Sequence, residues 1–268
     1  MRRTDYAANI AAQSVPRESF KQPIHTAEIT ALGPVRLLEA MKQIVPKARF
    51  YQASTCEIFG NPAGMPKKTV FDESGPFSPN NPYAIAKYYA HQMALYYRNS
   101  QKMFVSTGIL FNHESPRRGP DFVTRKIARG AVCIKLNVKN PPVNEDGKPI
   151  VQNGKLAMGT LETIRDWGFA GDYVEAMYKI LNYDKPEDFV IATGIKHTIR
   201  DFCEEAFSSL GLDYKKYVII DPVFVRPSEI EYMVGDASKA KKVLDWKPKV
   251  DFRGLVRMMV NAELAVFK

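Results

Sequence analysis

Apolar residues along the chain recur at two spacings, one for strands and one for helices. Tyr6–Ala12 is a short apolar run that ends in polar Gln13-Ser14 and predicts a buried strand, whereas Thr26–Val45 repeats Ile29, Leu32, Val35, Leu38 and Met41 at helical spacing. Arg49–Ser54 predicts the next strand. A loop rich in Gly, Pro, Asn and Ser follows over Gly60–Pro82, then a long helix over Tyr83–Arg98 and an apolar strand over Met103–Phe111. Strand alternating with helix specifies an α/β fold, and connections of this length between apolar strands require a parallel sheet with helices on both faces and right-handed crossovers.

The second half is less regular. Asp121–Leu136 predicts a basic helix, Asn137–Gly159 a loop, Asp172–Tyr183 a helix, Phe189–Ala192 a strand, Ile199–Leu210 an amphipathic helix and Tyr217–Asp221 a strand, with two helices closing the chain. The pattern places a boundary near Arg118. Residues 1–118 then form a doubly wound sheet domain, to which later segments such as 186–210 cross back, and residues 119–268 form a smaller mixed α/β domain. No internal repeat or low-complexity segment interrupts it.

Composition narrows the class. With 268 residues, 45% hydrophobic, 25% charged and 11% aromatic, the chain is an ordinary globular protein. Cys56, Cys133 and Cys203 lie far apart without a CxxC pair, which argues against a disulfide framework or a cysteine zinc site, so no metal is expected and a reducing compartment fits. No stretch reaches the ~18 uncharged apolar residues of a membrane span, and Met-Arg-Arg-Thr-Asp lacks a signal-peptide core, so the reading is cytoplasmic with no membrane partner. A net charge of +9 suits an anionic ligand, but the basic residues are dispersed, with only modest concentrations at 117–129 and 239–249. That distribution favours solvated faces plus one small anion site over a nucleic-acid surface.

The candidate chemistry centres on one helix. Tyr83 and Lys87 stand four residues apart and share a face. A tyrosine titrates near ~10, and making it a base near neutral pH takes a drop of roughly 3 units, about 4 kcal/mol of differential stabilisation. A neighbouring ammonium supplies part of that. The same spacing also arises from packing in a helix that carries Tyr88, Tyr89, Tyr96 and Tyr97. At the end of the preceding strand, Thr55 and Glu57 project to one side if the extended conformation persists, which brings a hydroxyl and a carboxylate toward Tyr83 and Lys87. Ligands of parallel sheets bind outside the carboxyl ends of the strands, where these residues point. No two of the 16 glycines are separated by a single residue, so neither a G-x-G-x-x-G turn nor a G-x-x-x-x-G-K-[ST] loop is present.

Thr55 with Tyr83-x-x-x-Lys87 resembles the extended short-chain dehydrogenase/reductase superfamily, and longer strings narrow the likeness to the GDP-mannose 4,6-dehydratases. Those strings include Asn9-Ile-Ala-Ala-Gln-Ser14, Phe50-Tyr-Gln-Ala-Ser-Thr-Cys-Glu57, Pro82-Tyr-Ala-Ile-Ala-Lys87, Asn112-His-Glu-Ser-Pro-Arg-Arg-Gly119, Arg165-Asp-Trp-Gly168 and Arg226-Pro-Ser-Glu229. The resemblance runs from about Tyr6 to the C-terminus. It implies a Rossmann-like doubly wound sheet, truncated at its N-terminal strands, beside a mixed α/β substrate domain. It also implies NADP as cofactor, GDP-mannose as substrate, and a homo-oligomer, dimer or tetramer. Tyr83, Lys87, Thr55 and Glu57 are then catalytic: Tyr83 takes the C4 hydroxyl proton, Lys87 lowers its pKa and holds the nicotinamide ribose, Thr55 binds the forming ketone, and Glu57 removes the C5 proton. Ala11, Ala12, Gln13, Ser14, Lys87, His113 and Arg118 fall to the cofactor, and Asn112, Lys126, Arg165, Arg226 and Glu229 to the sugar nucleotide. A diphosphate wants guanidinium and ammonium donors, and a guanine edge wants a carboxylate such as Glu229.

This sequence departs from the family pattern in places. The opening βαβ units with the glycine-rich turn have no counterpart, which predicts weak NADP⁺ binding and little turnover for these 268 residues alone. Val15, His25 and Phe169 replace a histidine, a tyrosine and a histidine respectively. Two other readings stand beside the dehydratase. One is a non-catalytic remnant or partner subunit. The other is an epimerase or reductase of the same superfamily, which would keep Tyr83, Lys87 and Thr55 but has no need of Glu57.

Overall fold

The computed structural model describes residues 5–62, 64, 66, 69–144, 146–224 and 230–267. In chain order the first half contains β1 (Tyr6–Asn9), α1 (Pro16–Lys21), α2 (Pro23–Thr26), a π-helical stretch (Ala27–Leu32), α3 (Gly33–Ile44), β2 (Arg49–Thr55), a 3₁₀ turn (Cys56–Ile58), β3 (Val70–Phe71), α4 (Pro82–Asn99) and β4 (Val105–Leu110). Next come β5 (Asn112–Glu114), α5 (Val123–Lys135), β6 (Val151–Gln152), β7 (Lys155–Met158), β8 (Ile164–Arg165), β9 (Trp167–Phe169) and α6 (Ala170–Asn182). β10 (Asp188–Ile191), β11 (His197–Thr198), α7 (Ile199–Ser208), β12 (Val218–Ile220), β13 (Tyr232–Gly235), α8 (Ser238–Leu244) and α9 (Phe252–Phe267) complete the order.

The central sheet is parallel, in the order β1-β2-β4-β10, with Asn9 opposite Gln52, Thr55 opposite Leu110 and Leu110 opposite Ile191. Because side chains alternate across a strand, consecutive residues of β2 serve opposite faces. Phe50 packs with Leu38 and Met41 of α3 and Ala94 and Tyr97 of α4. Tyr51 packs on the other face with Tyr173, Ala176 and Ile180 of α6 and Leu244 of α8. The sheet is therefore covered by helices on both sides, the doubly wound arrangement. Gly108 is dictated by this packing, since a Cβ there would lie 2.2 Å from the Tyr51 hydroxyl oxygen. A second core forms where α5, α7, α9 and β7 enclose Ile127, Leu156, Phe202, Phe207, Val256 and Met259.

Several expectations need correction. The strand predicted over Tyr6–Ala12 is four residues long and largely exposed, because β1 pairs only with β2 among the described residues. The helix expected from Thr26 begins earlier, at Pro16 and Pro23, since proline is suited to a helix's first turn. Ile29 faces out, and Thr30, Pro34, Leu38 and Met41 form the buried stripe. The segment Asn137–Gly159 is not all loop, for β6 and β7 form an antiparallel hairpin within it. The extended conformation does not persist beyond Thr55 either, because Cys56–Ile58 turns into a 3₁₀ helix that Thr55 caps.

Candidate active site

All four strands of the central sheet point their carboxyl ends the same way, so the segments after Asn9, Thr55, Leu110 and Ile191 gather along one edge. Sequence-predicted residues populate three of those segments.

Thr55 ends β2, and its Oγ1 accepts the Glu57 N–H at 3.3 Å, which fixes the turn that carries Glu57. Tyr83 and Lys87 sit in the first turns of α4, both buried. Thr55, Glu57 and Arg118 lie close enough to act on the Tyr83 phenol. Burial pushes the Tyr83 pKa up, the Glu57 charge adds to this, and the Thr55 hydroxyl and Arg118 work against it. Arg118 is thus the cation among the strongest influences on Tyr83. Lys87 instead donates from Nζ to the Ala53 carbonyl at 3.0 Å, and burial lowers its pKa to about 8.

His113, on β5, lies near Lys87 and Arg118, stacks on Tyr173 with ring centroids 4.9 Å apart, and pairs through Nδ1 with the Phe111 carbonyl at 2.8 Å. That carbonyl can only accept, so Nδ1 carries the proton and Nε2 is left as an acceptor. Burial drives the imidazole pKa down to about 4, so it is neutral near pH 7. Arg118 lies across the Phe122 ring at 3.5 Å and 3.2 Å from buried Glu114, which also accepts from Thr124 at 2.7 Å. Ala11, Ala12, Gln13 and Ser14 form the loop after β1. The Gln13 N–H donates to Thr30 Oγ1 at 3.0 Å and its Nε2 to the Val15 carbonyl at 3.1 Å, so part of the predicted cofactor loop is spent on holding itself.

The residues expected to hold the sugar nucleotide are more dispersed. Asn112 starts β5 beside His113, and its Oδ1 is buried without a hydrogen-bond partner. Arg165 acts on Cys56, beside the Thr55–Glu57 turn, and donates to the Ile230 carbonyl at 2.6 Å. Lys126 donates from Nζ to the Ala157 carbonyl at 2.7 Å and lies 3.6 Å from the Phe224 ring centroid. Burial lowers its pKa to about 8, against the pull of Asp221. Arg226 and Glu229 lie outside the described residues.

Three important residues escaped the sequence reading. Asp166 is buried and accepts from the Thr193 N–H at 2.9 Å, the Thr193 hydroxyl at 2.6 Å, the Gly194 N–H at 2.8 Å and the Gly235 N–H at 3.4 Å. It ties the end of β10 to β13. Ser19 on α1 accepts the Tyr83 N–H at 3.2 Å, and Asn81 precedes α4. Only Asn81 carried a legible signal, a cap-type residue before a proline at the first helical position.

The fold is that of the Rossmann-type short-chain dehydrogenase/reductase and epimerase proteins. Solved structures share the fold: RMD from Pseudomonas aeruginosa complexed with NADPH superposes with a TM-score of 0.84 at 21% identity, over 97% of this chain and 82% of that one. UDP-glucose 4-epimerase from Thermotoga maritima superposes with 0.79 at 22% identity, over 98% and 78%. A sequence model of GDP-mannose 4,6 dehydratase matches residues 2–259. GDP-mannose 4,6 dehydratase 2 of Arabidopsis thaliana is 44% identical over 268 residues, which are 98% of this chain and 67% of the relative. The Homo sapiens GDP-mannose 4,6 dehydratase is 40% identical over 279 residues, 97% and 70% respectively. The chain belongs to the GDP-mannose 4,6-dehydratase family.

Proposed function

We propose that the protein converts GDP-mannose to its 4-keto-6-deoxy product as a hydro-lyase, through internal oxidation, loss of water and re-reduction with NADP. The observation that supports this reading is a carboxylate, Glu57, carried on the turn that Thr55 caps and acting electrostatically on the Tyr83 phenol. An epimerase or reductase needs the hydroxyl and the phenol, whereas elimination needs a further base.

The residues present fit a nicotinamide nucleotide. His113 offers a neutral Nε2 and Lys87 spends one of its donors on Ala53, whereas Arg118 already pairs through Nε with Glu114 at 3.2 Å and would meet the cofactor with its terminal nitrogens. Lys87, His113 and Arg118 would hold the cofactor with the loop Ala11–Ser14. A nicotinamide held there would supply the hydride chemistry, taking hydride from sugar C4 and giving it back at C6.

Tyr83 accepts the proton of the C4 hydroxyl, with Arg118 opposing the burial that raises the phenol's pKa. Thr55 donates to the C4 oxygen as it becomes a carbonyl, stabilising the charge that develops there. Glu57 removes the C5 proton, which the adjacent ketone acidifies, and then protonates the departing C6 hydroxyl. Asn112, Lys126 and Arg165, with Arg226 and Glu229, bind the GDP-sugar. Asn112 Oδ1 awaits a donor, and the two described cations are already oriented by carbonyl oxygens. We place the site in a cleft between a sheet domain and a substrate domain that divide near Arg118, in a cytoplasmic homo-oligomer. No helix among the described residues is long and apolar enough to cross a membrane.

The test is long incubation of concentrated protein with GDP-mannose and excess NADP⁺, read by mass spectrometry, because no glycine-rich phosphate turn is present in these 268 residues and the expected turnover is small. A product lighter by one water with no net NADPH is expected, and stoichiometric NADPH accumulation would overturn the proposal.

A further inference from the structure

We infer that Asn81 is a positioning residue for Glu57. Its one amide group caps the helix bearing Tyr83 and Lys87 and also donates a hydrogen bond to the Glu57 carboxylate. The inference rests on the reading of Glu57 as the acid–base group.

Asn81 is buried, adopts an extended backbone before α4, and its Oδ1 accepts the Ala84 N–H at 2.9 Å. Its Nδ2 lies 3.2 Å from Glu57 Oε2 and 3.4 Å from Asn80 Oδ1. The two ends of the amide are distinguished by their partners, because an N–H requires the oxygen and a carboxylate requires the NH₂. Capping alone does not call for this group. Asp, Ser or Thr would supply the same acceptor, Pro82 has no N–H to satisfy, and the Tyr83 N–H is already taken by Ser19. The donor end is the unexplained half, and it points at the carboxylate.

The chain is built to bring the two together. Ser78 donates its N–H to the Ile58 carbonyl at 3.0 Å, which lays the segment before Asn81 against the turn holding Glu57. Gly60 permits the approach: it has φ of +58°, and a Cβ there would stand 1.8 Å from the Ser78 carbonyl oxygen. One short bridge therefore couples two elements from different parts of the chain, the 3₁₀ turn after β2 and the N-terminus of α4. It fixes the carboxylate that must accept the C5 proton relative to the phenol. The other titratable groups that bear on Glu57 are Tyr83 on α4 and Cys56 beside it. Arg118 acts on Tyr83, and Arg165 and Asp166 act on Cys56.

The decisive variant is Asn81→Asp, which keeps the cap acceptor and replaces the donor with a second carboxylate. Carboxyl ¹³C resonances of glutamate-labelled protein, with Glu57 assigned by its loss in Glu57→Gln, are followed against pH. The Glu57 midpoint is expected to rise by about one pH unit or more in Asn81→Asp and by less, in the same direction, in Asn81→Ser, and the thermal midpoint at pH 8 falls by a few degrees in Asn81→Asp, as the raised folded-state midpoint requires. A Glu57 midpoint unmoved in both folded variants makes Asn81 a cap alone and overturns the inference. If Asn81→Asp does not fold, Asn81→Ser decides by the same reading. The measurement needs no turnover: a shifted midpoint in a protein that leaves GDP-mannose unchanged supports the Asn81 bridge while sinking the dehydratase reading.

Discussion

The ammonium of Lys87 donates to the main-chain carbonyl of Ala53 at 3.0 Å, so the helix cation of the site is pinned to the central strand that leads into Thr55 and Glu57. Nothing acidic is found among the causes acting on it, and burial alone takes its pKa from 10.5 to about 8. The bond fixes where the ammonium sits, and the burial makes keeping it there costly.

The cost has a sign. Between pH 8 and about 10.5 the unfolded chain holds a proton on Lys87 that the folded chain has released, so stability rises with pH through that window. The full penalty, up to ~3 kcal/mol, is present at pH 7. Lys87→Met is expected to raise the urea midpoint at pH 7 and flatten the alkaline rise, leaving the part owed to Lys126, while abolishing turnover. Urea titrations at pH 7 and pH 10 check it; a variant no more stable than wild type at pH 7 would show that burial of this charge is not the controlling cost.

Glu57→Gln keeps the shape of the turn and the Thr55 cap but removes the base. The expected result is a loss of dehydration of about 10²–10⁴-fold with oxidation at C4 much less affected, because the carboxylate acts only once the ketone exists. Exchange of the C5 proton with deuterated solvent separates the two steps. Exchange at the wild-type rate in Glu57→Gln would assign the base elsewhere.

How far the sequence revealed this site depends on the range of the interaction. β2 and α4 were legible because their apolar spacings are local, and Tyr83 and Lys87 share a face for the same reason. The relation of Thr55 to Glu57 was legible only in part: both were expected near Tyr83, but a strand spacing was assumed where a 3₁₀ turn stands. β8 and β9, of two and three residues, and β13, of four, exist through pairing with distant segments, and no local period announces elements so short. β1 looked buried because Ala and Ile read as core, yet Ile10 is 65% exposed just beyond the strand. Asp166 lay inside a recognised string, but its four donors come from β10 onward and from β13, so its role appears only in three dimensions.

That carboxylate supports a strong expectation. Asp166→Asn turns one carboxylate oxygen into an NH₂ group facing the N–H donors of Gly194 and Gly235, or of Thr193 if the amide turns over. Either orientation leaves buried donors unpaired, at about 1–3 kcal/mol each. A loss of about 2–4 kcal/mol is expected in urea unfolding, with faster amide exchange at Gly194 and Gly235. Stability within about 0.5 kcal/mol of wild type, the range of ordinary surface substitutions, would show that the loop after β10 is held by other contacts.

His113 gives the acid counterpart of Lys87. Burial, opposed in part by its bond to the Phe111 carbonyl, takes its pKa from 6.5 to about 4, so below pH 6.5 the unfolded chain binds a proton that the folded chain refuses. Stability accordingly falls as pH drops from 6.5 toward 4. At pH 5 the single imidazole accounts for about 2 kcal/mol, at 1.36 kcal/mol per unit. His113→Asn retains an N–H donor near the position of Nδ1 and removes the titration. The variant should therefore lose less stability than wild type between pH 7 and pH 5, the remaining fall coming from His91 and His197, whose pKa values burial also lowers. Urea midpoints at the two pH values, with the His113 ring proton followed by NMR, make the comparison. An equal fall in both proteins, or a His113 resonance that titrates above pH 6, would place a charged imidazole at this position and remove the neutral Nε2 acceptor on which its proposed role toward the nicotinamide depends.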